Sequence, residues 1–370
     1  MAITKTLHAL CLRLPLAASM LGTLPATAAA LDAPLYQRPA LHSELAARSL
    51  MLDVTRAGRD LVAVGERGFI LRSQDNGQNW QQVPSPVSVT LTQVTFPTPS
   101  QGWAVGHAGI ILHSDDAGRS WTTQLDGSQA AQLALDAATA AYAEHHDTEH
   151  QQRLEEARQL VDDGPDKPLL AVHFFDAQRG LAVGAYGLAL ATTDGGRHWR
   201  SVSQQLDNPS ALHLYDILDL DGTLFIAAEQ GLLLRSTDQG EHFSAVQIPT
   251  SGTLFGLLAS EDNSLLVFGL RGKILRSDDR GNSWQAVDND QPITLTAGAR
   301  GSDGTLLLVD ETGRVLSSQD QGRHFRASGS NASSLTSLSE TADGRFMLSG
   351  VRGLTPFSLQ DGQRSSAREQ

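Results

Sequence analysis

The chain contains almost no cysteine and few aromatic residues. Cys11 is the only cysteine among 370 residues, and it lies in a leading segment whose composition differs from that of the rest. If that segment is removed, no disulfide and no thiolate metal site can form. Aromatic residues make up 5% of the sequence, whereas glycine contributes 34 residues. This balance is typical of a β fold with many tight turns, and it disfavours a helical bundle or a disordered chain.

No apolar run reaches the roughly 20 residues that are needed to span a bilayer. The leading segment has two basic residues, an apolar run over residues 14–24 and small residues after it. This order predicts a secretory signal peptide over residues 1–30, with a mature chain that begins near Leu31. Cys11 lacks the small preceding residue of a lipoprotein cleavage site. We therefore expect a secreted, periplasmic protein without a lipid anchor and without a membrane span.

Basic residues are outnumbered, with 28 Lys and Arg against 41 Asp and Glu. Lys5 and Arg13 belong to the predicted signal, so their removal changes the net charge from −13 to −15. A field of this sign repels nucleic acid and other acidic polymers. Nucleic acid is therefore not an expected partner.

Two short patterns recur along the chain. The pattern SxDxGxxW, with Thr or Phe as occasional substitutes, occurs six times between residues 73 and 325. A second pattern, here called the GxxG turn, consists of four residues that end in glycine and mostly begin with it, as in residues 65–68. It precedes each SxDxGxxW copy and occurs a seventh time near the end of the chain. Its last glycines are separated by 41, 78, 44, 41, 41 and 40 residues: Gly68, Gly109, Gly187, Gly231, Gly272, Gly313 and Gly353. A period near 40 with four short β segments per unit predicts an all-β, seven-bladed propeller over residues 31–370.

The doubled interval predicts an insertion in one blade. Residues 128–163 contain no glycine or proline and are rich in Ala, Leu, Glu and Gln, which favours helix. Two antiparallel helices are expected because both ends must return to the same blade connection. Thr148 and Gln151 predict a capping box at the start of the second helix. Three apolar residues should then share one face of that helix: Leu154, Ala157 and Val161.

The SxDxGxxW pattern is an Asp box, which we place in the turn between the third and fourth strands of a blade. Its carboxylate can accept N–H bonds from its own loop, its glycine supplies an unusual backbone angle, and its aromatic residue packs on the neighbouring unit. Six copies on a regular grid cannot be six active sites. We therefore predict a structural role for the six aspartates: Asp75, Asp116, Asp194, Asp238, Asp279 and Asp320.

The seventh unit has no Asp box, because the chain after Gly353 soon enters a polar tail at about residues 360–370. We expect the segment from Pro34 to Leu41 to supply the fourth strand of this blade. Such a strand would pair the two ends of the chain and remove an open sheet edge.

Alternating strand directions place the GxxG turns and the blade-to-blade connections on one face of the disc, together with the insertion. The Asp boxes lie on the other face. Arginines in the GxxG turns are candidates for binding carboxylates of a partner. The predicted partner-binding residues are Arg67, Arg271, Arg352, Tyr186 and His107. The same turns also contain three glutamates, so their charge is mixed in sign. The alternative to partner binding is therefore that these are ordinary solvated turns. The glutamates are Glu66, Glu229 and Glu311.

Three histidines in the insertion also suggest metal ligands. His146 and His150 are expected to lie one helical turn apart, with His145, Asp147 and Glu149 nearby. Exposed polar histidines at a helix junction explain the pattern equally well. We predict no metal and no cofactor.

With these turns, Asp boxes and signal, the chain resembles the photosystem II stability and assembly factor propellers of cyanobacteria and plastids, and their relatives in non-photosynthetic bacteria. The resemblance implies a non-enzymatic assembly factor that binds a protein partner through arginines in its GxxG turns. Only Arg67, Arg271 and Arg352 match that arginine patch. The bacterial relatives resemble accessory proteins of resistance-nodulation-division exporters. This implies a periplasmic partner, either an inner-membrane transporter or its periplasmic domain.

Two other functions are alternatives. Asp boxes also occur in sialidases and other glycoside hydrolases, and a sialidase needs a tyrosine nucleophile with a carboxylate base and an arginine cluster. The tyrosines available are Tyr36, Tyr142, Tyr186 and Tyr215. Sialidase propellers have six blades, whereas seven turns are counted here. The other alternative is a propeller that binds a glycan or small molecule in its central channel.

Overall fold

Short strands joined by glycine-containing turns dominate the computed structural model, which describes residues 33–359. The predicted signal peptide over residues 1–30 and the polar tail from about residue 360 lie outside the described residues. Seven antiparallel sheets follow one another along the chain. The predicted all-β, seven-bladed propeller is confirmed.

The first three blades have four strands each, in sequence order across the sheet. Blade 1 comprises β1 (Met51–Ala57), β2 (Asp60–Gly65), β3 (Ile70–Ser73) and β4 (Gln81–Val83). Blade 2 comprises β5 (Leu91–Thr95), β6 (Gly102–Gly106), β7 (Ile111–Ser114) and β8 (Thr122–Leu125). Blade 3 comprises β9 (Leu169–Phe174), β10 (Gly180–Gly184), β11 (Ala189–Thr192) and β12 (Arg200–Ser201).

The next three blades repeat this order, and the last has three described strands. Blade 4 comprises β13 (Leu214–Leu220), β14 (Thr223–Ala228), β15 (Leu233–Ser236) and β16 (Ser244–Val246). Blade 5 comprises β17 (Leu254–Ala259), β18 (Leu265–Gly269), β19 (Ile274–Ser277) and β20 (Gln285–Ala286). Blade 6 comprises β21 (Leu295–Arg300), β22 (Leu306–Asp310), β23 (Arg314–Ser318) and β24 (Arg326–Ser330). Blade 7 comprises β25 (Leu335–Glu340), β26 (Phe346–Gly350) and β27 (Gly353–Phe357).

Apolar side chains fill the spaces between neighbouring blades. Trp103 of blade 2 is fully buried and stacks on Phe174 of blade 3, with ring centroids 3.6 Å apart. Trp121, the aromatic residue of the second Asp box, packs edge-on against Phe96 at 5.9 Å and joins a cluster with Val62 of blade 1. Each sheet thus buries both of its faces against its neighbours, which stabilises the ring without disulfides.

The last glycine of each GxxG turn touches the chain that connects one blade to the next. At Gly68 the backbone has a φ of +71°, and an added Cβ would lie 2.0 Å from the carbonyl oxygen of Val87. At Gly353, in blade 7, the corresponding oxygen belongs to Ala47, at 2.1 Å. Because glycine alone fits both the backbone angle and the close approach, these positions fix the connection to the turn. The N-terminal segment therefore occupies, between blades 7 and 1, the place that a blade-to-blade connection has elsewhere in the ring.

The prediction that Pro34 to Leu41 forms the fourth strand of blade 7 is wrong. Residues Leu35–Gln37 form a 3-10 turn. Ser88 N donates to Leu35 O at 2.8 Å and Ala40 N donates to Ser85 O at 3.1 Å, so the segment lies against the end of blade 1. Prolines at 34 and 39 have no N–H to donate, which makes a regular strand ladder unfavourable here.

Side-chain hydrogen bonds between the innermost strands close the ring instead. Thr336 Oγ1 donates to Met51 O at 2.7 Å, and Ser337 Oγ donates to Asp53 Oδ1 at 2.6 Å. A 3-10 turn over Ala46–Arg48 follows the N-terminal segment and contacts β27 and β4. Blades 7 and 1 therefore meet through packed faces and polar contacts rather than through a shared sheet.

The insertion folds as two antiparallel helices, α1 (Gly127–His145) and α2 (Thr148–Asp163), as the sequence predicts. None of the helices in residues 33–359 is long and apolar enough to cross a membrane. The insertion joins the propeller on the GxxG face, because an added Cβ at Gly109 would lie 2.6 Å from Gly127 Cα.

The caps and the buried face of the insertion differ from prediction. A capping box opens α1, where Asp126 accepts from Gln129 N. The predicted box at Thr148 and Gln151 is wrong, because Asp147 is the cap of α2 and accepts from His150 N at 2.8 Å. A carboxylate accepts N–H bonds at a helix start more strongly than a hydroxyl does. On the predicted face of α2, Leu154 and Ala157 are buried against α1, whereas Val161 is 36% exposed.

Candidate functional site

Five GxxG turns place their third residue, directly before the last glycine, in the left-handed region of backbone space. The φ angles lie between 55° and 58° for Arg67, Ala108, Tyr186, Gln230 and Arg271. A non-glycine residue held at positive φ costs on the order of 1 kcal/mol, so the surrounding turn must enforce it. This third residue is exposed to solvent in four of these blades, while Ala108 is buried. The same backbone thus displays a different side chain in each blade.

The structure brings two of the three predicted arginines to neighbouring turns. Arg67 lies in the turn of blade 1 and Arg352 in the turn of blade 7, which adjoins it. Arg271 lies in blade 5 and is separated from them by the turn of blade 6. All three side chains are exposed. None of their guanidinium groups makes a hydrogen bond or an ion pair with another residue of the described part of the chain.

Arg48 is a fourth arginine of this face that the repeat pattern does not include. It follows Ala47 in the N-terminal segment before blade 1, and its Cα would lie 2.9 Å from a Cβ added at Gly353, next to Arg352. The Arg48 side chain is exposed and, within residues 33–359, has no hydrogen-bond or ion-pair partner. We call Arg48, Arg67 and Arg352 the arginine edge.

The glutamates of these turns accept hydrogen bonds from backbone N–H groups. Glu66 Oε1 accepts from Leu50 N at 3.2 Å and Glu229 Oε2 accepts from His213 N at 3.0 Å. Glu311 Oε1 accepts in the same way from the N–H of residue 294, at 3.2 Å. In each blade the acceptor fixes the start of the innermost strand to its turn. The glutamates therefore have a local contact of their own, and they do not pair with the arginine edge.

The other two predicted binding residues lie away from the arginine edge. His107 is exposed in the turn of blade 2, which contacts α1. Tyr186, in the turn of blade 3, is 59% exposed. Lys167 Nζ lies 4.9 Å from the Tyr186 ring centroid, and the His213 ring packs edge-on at 4.8 Å. These residues border the insertion, so the GxxG face has two separate regions.

Each Asp-box carboxylate makes its hydrogen bonds within its own turn. Asp116 Oδ1 accepts from Ser114 Oγ and Ser120 N, both at 2.9 Å, and Ser114 Oγ accepts from Gly118 N at 2.9 Å. Bonds from Asn79 lower the pKa of Asp75 to about 2, because they stabilise the ionised form. The same Ser or Thr, Asp and Gly contacts recur in the remaining turns, which contain Asp194, Asp238, Asp279 and Asp320.

The innermost strands surround a central channel of about 400 Å³. Each of these strands has a β-bulge near its start, where its pairing with the second strand shifts by one residue. Polar side chains at and beside the bulges link neighbouring blades. Thr92 Oγ1 donates to Leu169 O at 2.8 Å, and Thr296 Oγ1 donates to Leu335 O at 2.9 Å. These threonines and Thr336 recur at the same distance before their GxxG turns, a sequence signal that could have identified them.

Two aspartates face this channel. Asp53 accepts from Val94 N and Asp216 accepts from Leu257 N, at 2.9 and 2.8 Å. Burial raises the pKa of Asp53 to about 6 and that of Asp216 to about 7, although these hydrogen bonds act in the opposite direction. Both residues keep some accessible surface in the channel, yet the surrounding strands displace most of the water near them.

Tyr215 is the one predicted nucleophile candidate that lines the channel. Its hydroxyl donates to Glu229 Oε1 at 3.4 Å. Burial and the Glu229 charge raise the pKa of Tyr215 to about 12. A sialidase also needs arginines around its nucleophile, and the described residues that line this channel include no arginine.

The insertion histidines do not have the predicted arrangement. His146 and His150 are not one turn apart on a helix, because His146 lies between α1 and α2 with a φ of 50°. His150 Nδ1 lies 2.7 Å from Asp147 Oδ1 and its ring stacks on His145 at 4.4 Å. Within residues 33–359 no group of three or more His, Cys, Asp or Glu side chains is arranged to hold a metal ion.

Comparison with known sequences identifies the family. The sequence profile described as photosynthesis system II assembly factor YCF48 matches residues 37–144 and 151–363, which is most of the chain. A curated relative, the photosystem II assembly lipoprotein Ycf48 of Synechococcus sp. (strain CC9902), is 35% identical over 82 residues. That segment covers 22% of this chain and 24% of the relative, so the chain spans about a quarter of the relative's length there.

Solved structures share the fold. YCF48 bound to D1 peptide aligns at 17% identity and a TM-score of 0.62, over 86% of this chain and 98% of that one. A GH74 enzyme of Niastella koreensis aligns at 16% identity and a TM-score of 0.57, over 84% of this chain and 43% of that one. Similarity at these identities shows the propeller fold alone. It is the profile match over most of the sequence that shows the chain to be a member of the photosynthesis system II assembly factor YCF48 family.

Proposed function

We propose that the protein is a non-enzymatic periplasmic scaffold or assembly accessory factor that binds an acidic segment of a membrane-protein partner. The partner we infer is an inner-membrane transporter of the resistance-nodulation-division superfamily, or its periplasmic domain. The observation that carries the proposal is the arginine edge. Its three guanidinium groups are exposed, lie in two neighbouring turns and the adjoining N-terminal segment, and have no hydrogen-bond or ion-pair partner among the described residues.

Arginine suits this role because its planar guanidinium group donates two parallel hydrogen bonds to a carboxylate. An exposed ion pair contributes only about 0.2–1 kcal/mol, so one arginine would bind weakly. Three arginines held by rigid turns add their contributions and lose little conformational freedom in the backbone. The edge therefore favours a partner segment with several carboxylates.

Family membership supports an assembly role. One solved YCF48 is described as bound to D1 peptide, so that protein binds a segment of another protein. We propose the same kind of contact here, with Arg271, Tyr186 and His107 as further binding residues on the GxxG face. The Asp-box aspartates are proposed to fold their turns, and residues 1–30 to direct secretion.

The proposal is tested by cross-linking and affinity purification from detergent-solubilised cell envelope. We compare the wild-type protein with a triple variant, Arg48→Glu, Arg67→Glu and Arg352→Glu. Wild type is expected to recover an integral membrane protein with cross-links at the GxxG face, and the triple variant about tenfold less.

The matched control is Arg326→Glu, which reverses an exposed arginine in the outermost strand of blade 6. Recovery by this control should equal that of wild type. Equal recovery by wild type and the triple variant would contradict the arginine edge, and recovery of no membrane protein by any of them would contradict the scaffold role.

The channel supports a second candidate function, the binding of a glycan or another small polar ligand. Its volume of about 400 Å³ and its two aspartates are compatible with such a ligand. A glycan array with the wild-type protein and a Tyr215→Phe variant tests this. Binding that the variant weakens would support the channel, and an array without binding would remove this candidate.

A further inference from the structure

A cleft of about 390 Å³ lies between the insertion and blade 3, on the GxxG face. One wall comes from the two helices, with Ala134 of α1 and Ala157 and Leu160 of α2. The opposite wall comes from the propeller, where Tyr186 lies in the turn of blade 3 and Leu188 lies directly before the third strand of that blade. A volume of this size with apolar walls is in the range of ligand pockets and can accept a large apolar side chain.

The cleft also contains an unsatisfied polar group. Ser201 lines it, and the Ser201 Oγ atom is buried without a hydrogen-bond partner among the described residues. A buried hydroxyl that has lost its water and gained no partner is destabilised. A bound segment that brings a backbone N–H or C=O group to this hydroxyl would remove that penalty.

The two basic residues of the cleft already have acidic partners. Lys167 Nζ lies 3.0 Å from Asp163 Oδ2 and 2.7 Å from Asp166 Oδ1. Arg153 pairs with Glu149 at 2.8 Å and donates to Gln204 O at 3.2 Å. Neither cation is therefore available to an acidic ligand in the way that the arginine edge is.

The insertion that forms the cleft is strongly acidic. Residues 126–166 contain ten Asp and Glu against two Arg, a net charge of −8 out of −13 for the whole chain. Glu156 lines the cleft, and in residues 33–359 it pairs with no basic residue and accepts only from Gln152. A field of this sign attracts a basic segment and repels an acidic one.

We propose that the insertion cleft binds a basic segment of a partner protein that inserts one large apolar side chain between α2 and Tyr186. The inserted side chain contacts Ala157, Leu160 and Tyr186, and flanking Lys or Arg residues of the segment face Glu156. This deepens the proposed scaffold function and rests on it only for the existence of a protein partner. The two regions of the GxxG face then bind segments of opposite charge.

The test uses three labelled synthetic pentapeptides with blocked ends, and fluorescence anisotropy with the purified protein. The first has four lysines around a central tryptophan, the second has four glutamates around the tryptophan, and the third has four lysines around a serine. We expect the cleft to bind the first peptide about tenfold more tightly than either of the others, because it alone carries both features. Binding of the glutamate peptide at the arginine edge is distinguished from binding at the cleft because Tyr186→Ala leaves it unchanged.

Two variants locate the binding. Tyr186→Ala removes the aromatic wall without new backbone strain, since Ala108 already occupies the equivalent position in blade 2 with the same positive φ. Gln230→Ala is the matched control, because Gln230 holds that position in blade 4, away from the cleft. Glu156→Lys reverses the unpaired charge, and Glu144→Lys makes the same change near the far end of α1. The first member of each pair should weaken binding about fivefold or more, while the second leaves it unchanged.

Each outcome decides the proposal. Preferred binding of the lysine and tryptophan peptide that falls in Tyr186→Ala and Glu156→Lys supports it. Binding of the lysine and tryptophan peptide that is equal in all variants, binding of the glutamate peptide that Tyr186→Ala weakens as much, or binding of none of the three peptides overturns it. Tm values of the four variants near that of wild type show that they are folded. Because no arginine-edge residue is changed, the cleft can fail while the membrane-protein interaction is still recovered, and the reverse also holds.

Discussion

The arginine edge and the insertion cleft lie on one face of the ring but differ in origin and in charge. The edge consists of repeat positions and one connection, and its side chains vary on an unchanged backbone. The cleft exists because one blade connection contains an insertion of 37 residues. The insertion consists of the helices Gly127–His145 and Thr148–Asp163 and the two residues between them. The first presents cations without partners among the described residues, and the second has apolar walls within an acidic insertion. A repeat fold can thus gain a second surface without any change to the first.

The largest expected effect comes from a change that breaks the edge and leaves the cleft intact. In Gly353→Val the new side chain meets Ala47 O, and valine must adopt a φ of +92°. We expect a loss of about 3 kcal/mol or more in the free energy of unfolding, measured by urea denaturation. Gly222→Ala is the control, because its φ is +81° but nothing lies within 4 Å, so it should cost only about 1 kcal/mol. Equal losses of unfolding free energy in the two variants would show that the contact between the N-terminal segment and blade 7 does not stabilise the fold.

A deletion separates the two regions in the opposite direction. Gly127 and Pro165 lie side by side, since an added Cβ at Gly127 would be 2.9 Å from Pro165 Cα, so residues 128–163 can be replaced by two glycines. The propeller should still fold, with a lower Tm because Ala130 and Leu160 no longer cover the blade core. Membrane-partner recovery through the arginine edge should stay within about twofold of wild type. Complete loss of recovery would place the main contact on the insertion.

The pH dependence of stability reports on the channel rather than on either surface. Asp53 and Asp216 have folded-state pKa values of about 6 and about 7, above the unfolded value of 3.8. The folded protein therefore binds more protons than the unfolded chain between these values, and stability falls as pH rises from about 4 to about 7. Asp216→Asn should reduce this fall, measured by urea denaturation across that range. An unchanged pH profile in the variant would contradict the assignment.

The smallest expected effect distinguishes the two surfaces by salt. Binding at the arginine edge relies on exposed ion pairs, so affinity should drop several-fold when salt is raised to about 0.5 M. Binding of the lysine and tryptophan peptide should weaken less, because its tryptophan is held by apolar contacts. Anisotropy titrations at two salt concentrations measure both affinities, with the glutamate peptide as the probe of the arginine edge and the lysine and tryptophan peptide as the probe of the cleft. A steeper salt dependence at the cleft would mean that charge dominates there too.

The sequence was sufficient for features that repeat. Seven GxxG turns and six Asp boxes predicted the number of blades, and alternating strand direction predicted the face on which the insertion lies. The sequence was insufficient at positions that have no counterpart in the other repeats. Arg48 lies in a segment without a repeat equivalent in the pattern, and the role of Pro34 to Leu41 depended on whether the chain reaches blade 7 or stays on blade 1. That outcome is set by tertiary contacts with Ser85 and Ser88.

Local competition explains the smaller differences. Asp147 and Thr148 are adjacent helix-cap candidates, and one hydrogen bond to His150 N decides between them. The cleft could not be predicted because its two walls are brought together only by folding, and the apolar residues of α2 give no indication of which neighbour they meet. Buried and cleft-lining residues have the same spacing along the helix.

Photo-cross-linking tests the central claim, that the GxxG face binds a membrane protein, most directly. A photoreactive residue is placed at position 352 on that face or at position 280 in an Asp-box turn on the opposite face, and cells are irradiated before the envelope is analysed by mass spectrometry. We predict a cross-link to an integral membrane protein from position 352 and none from position 280. Cross-links from position 280 alone, or none from either position, would contradict the account.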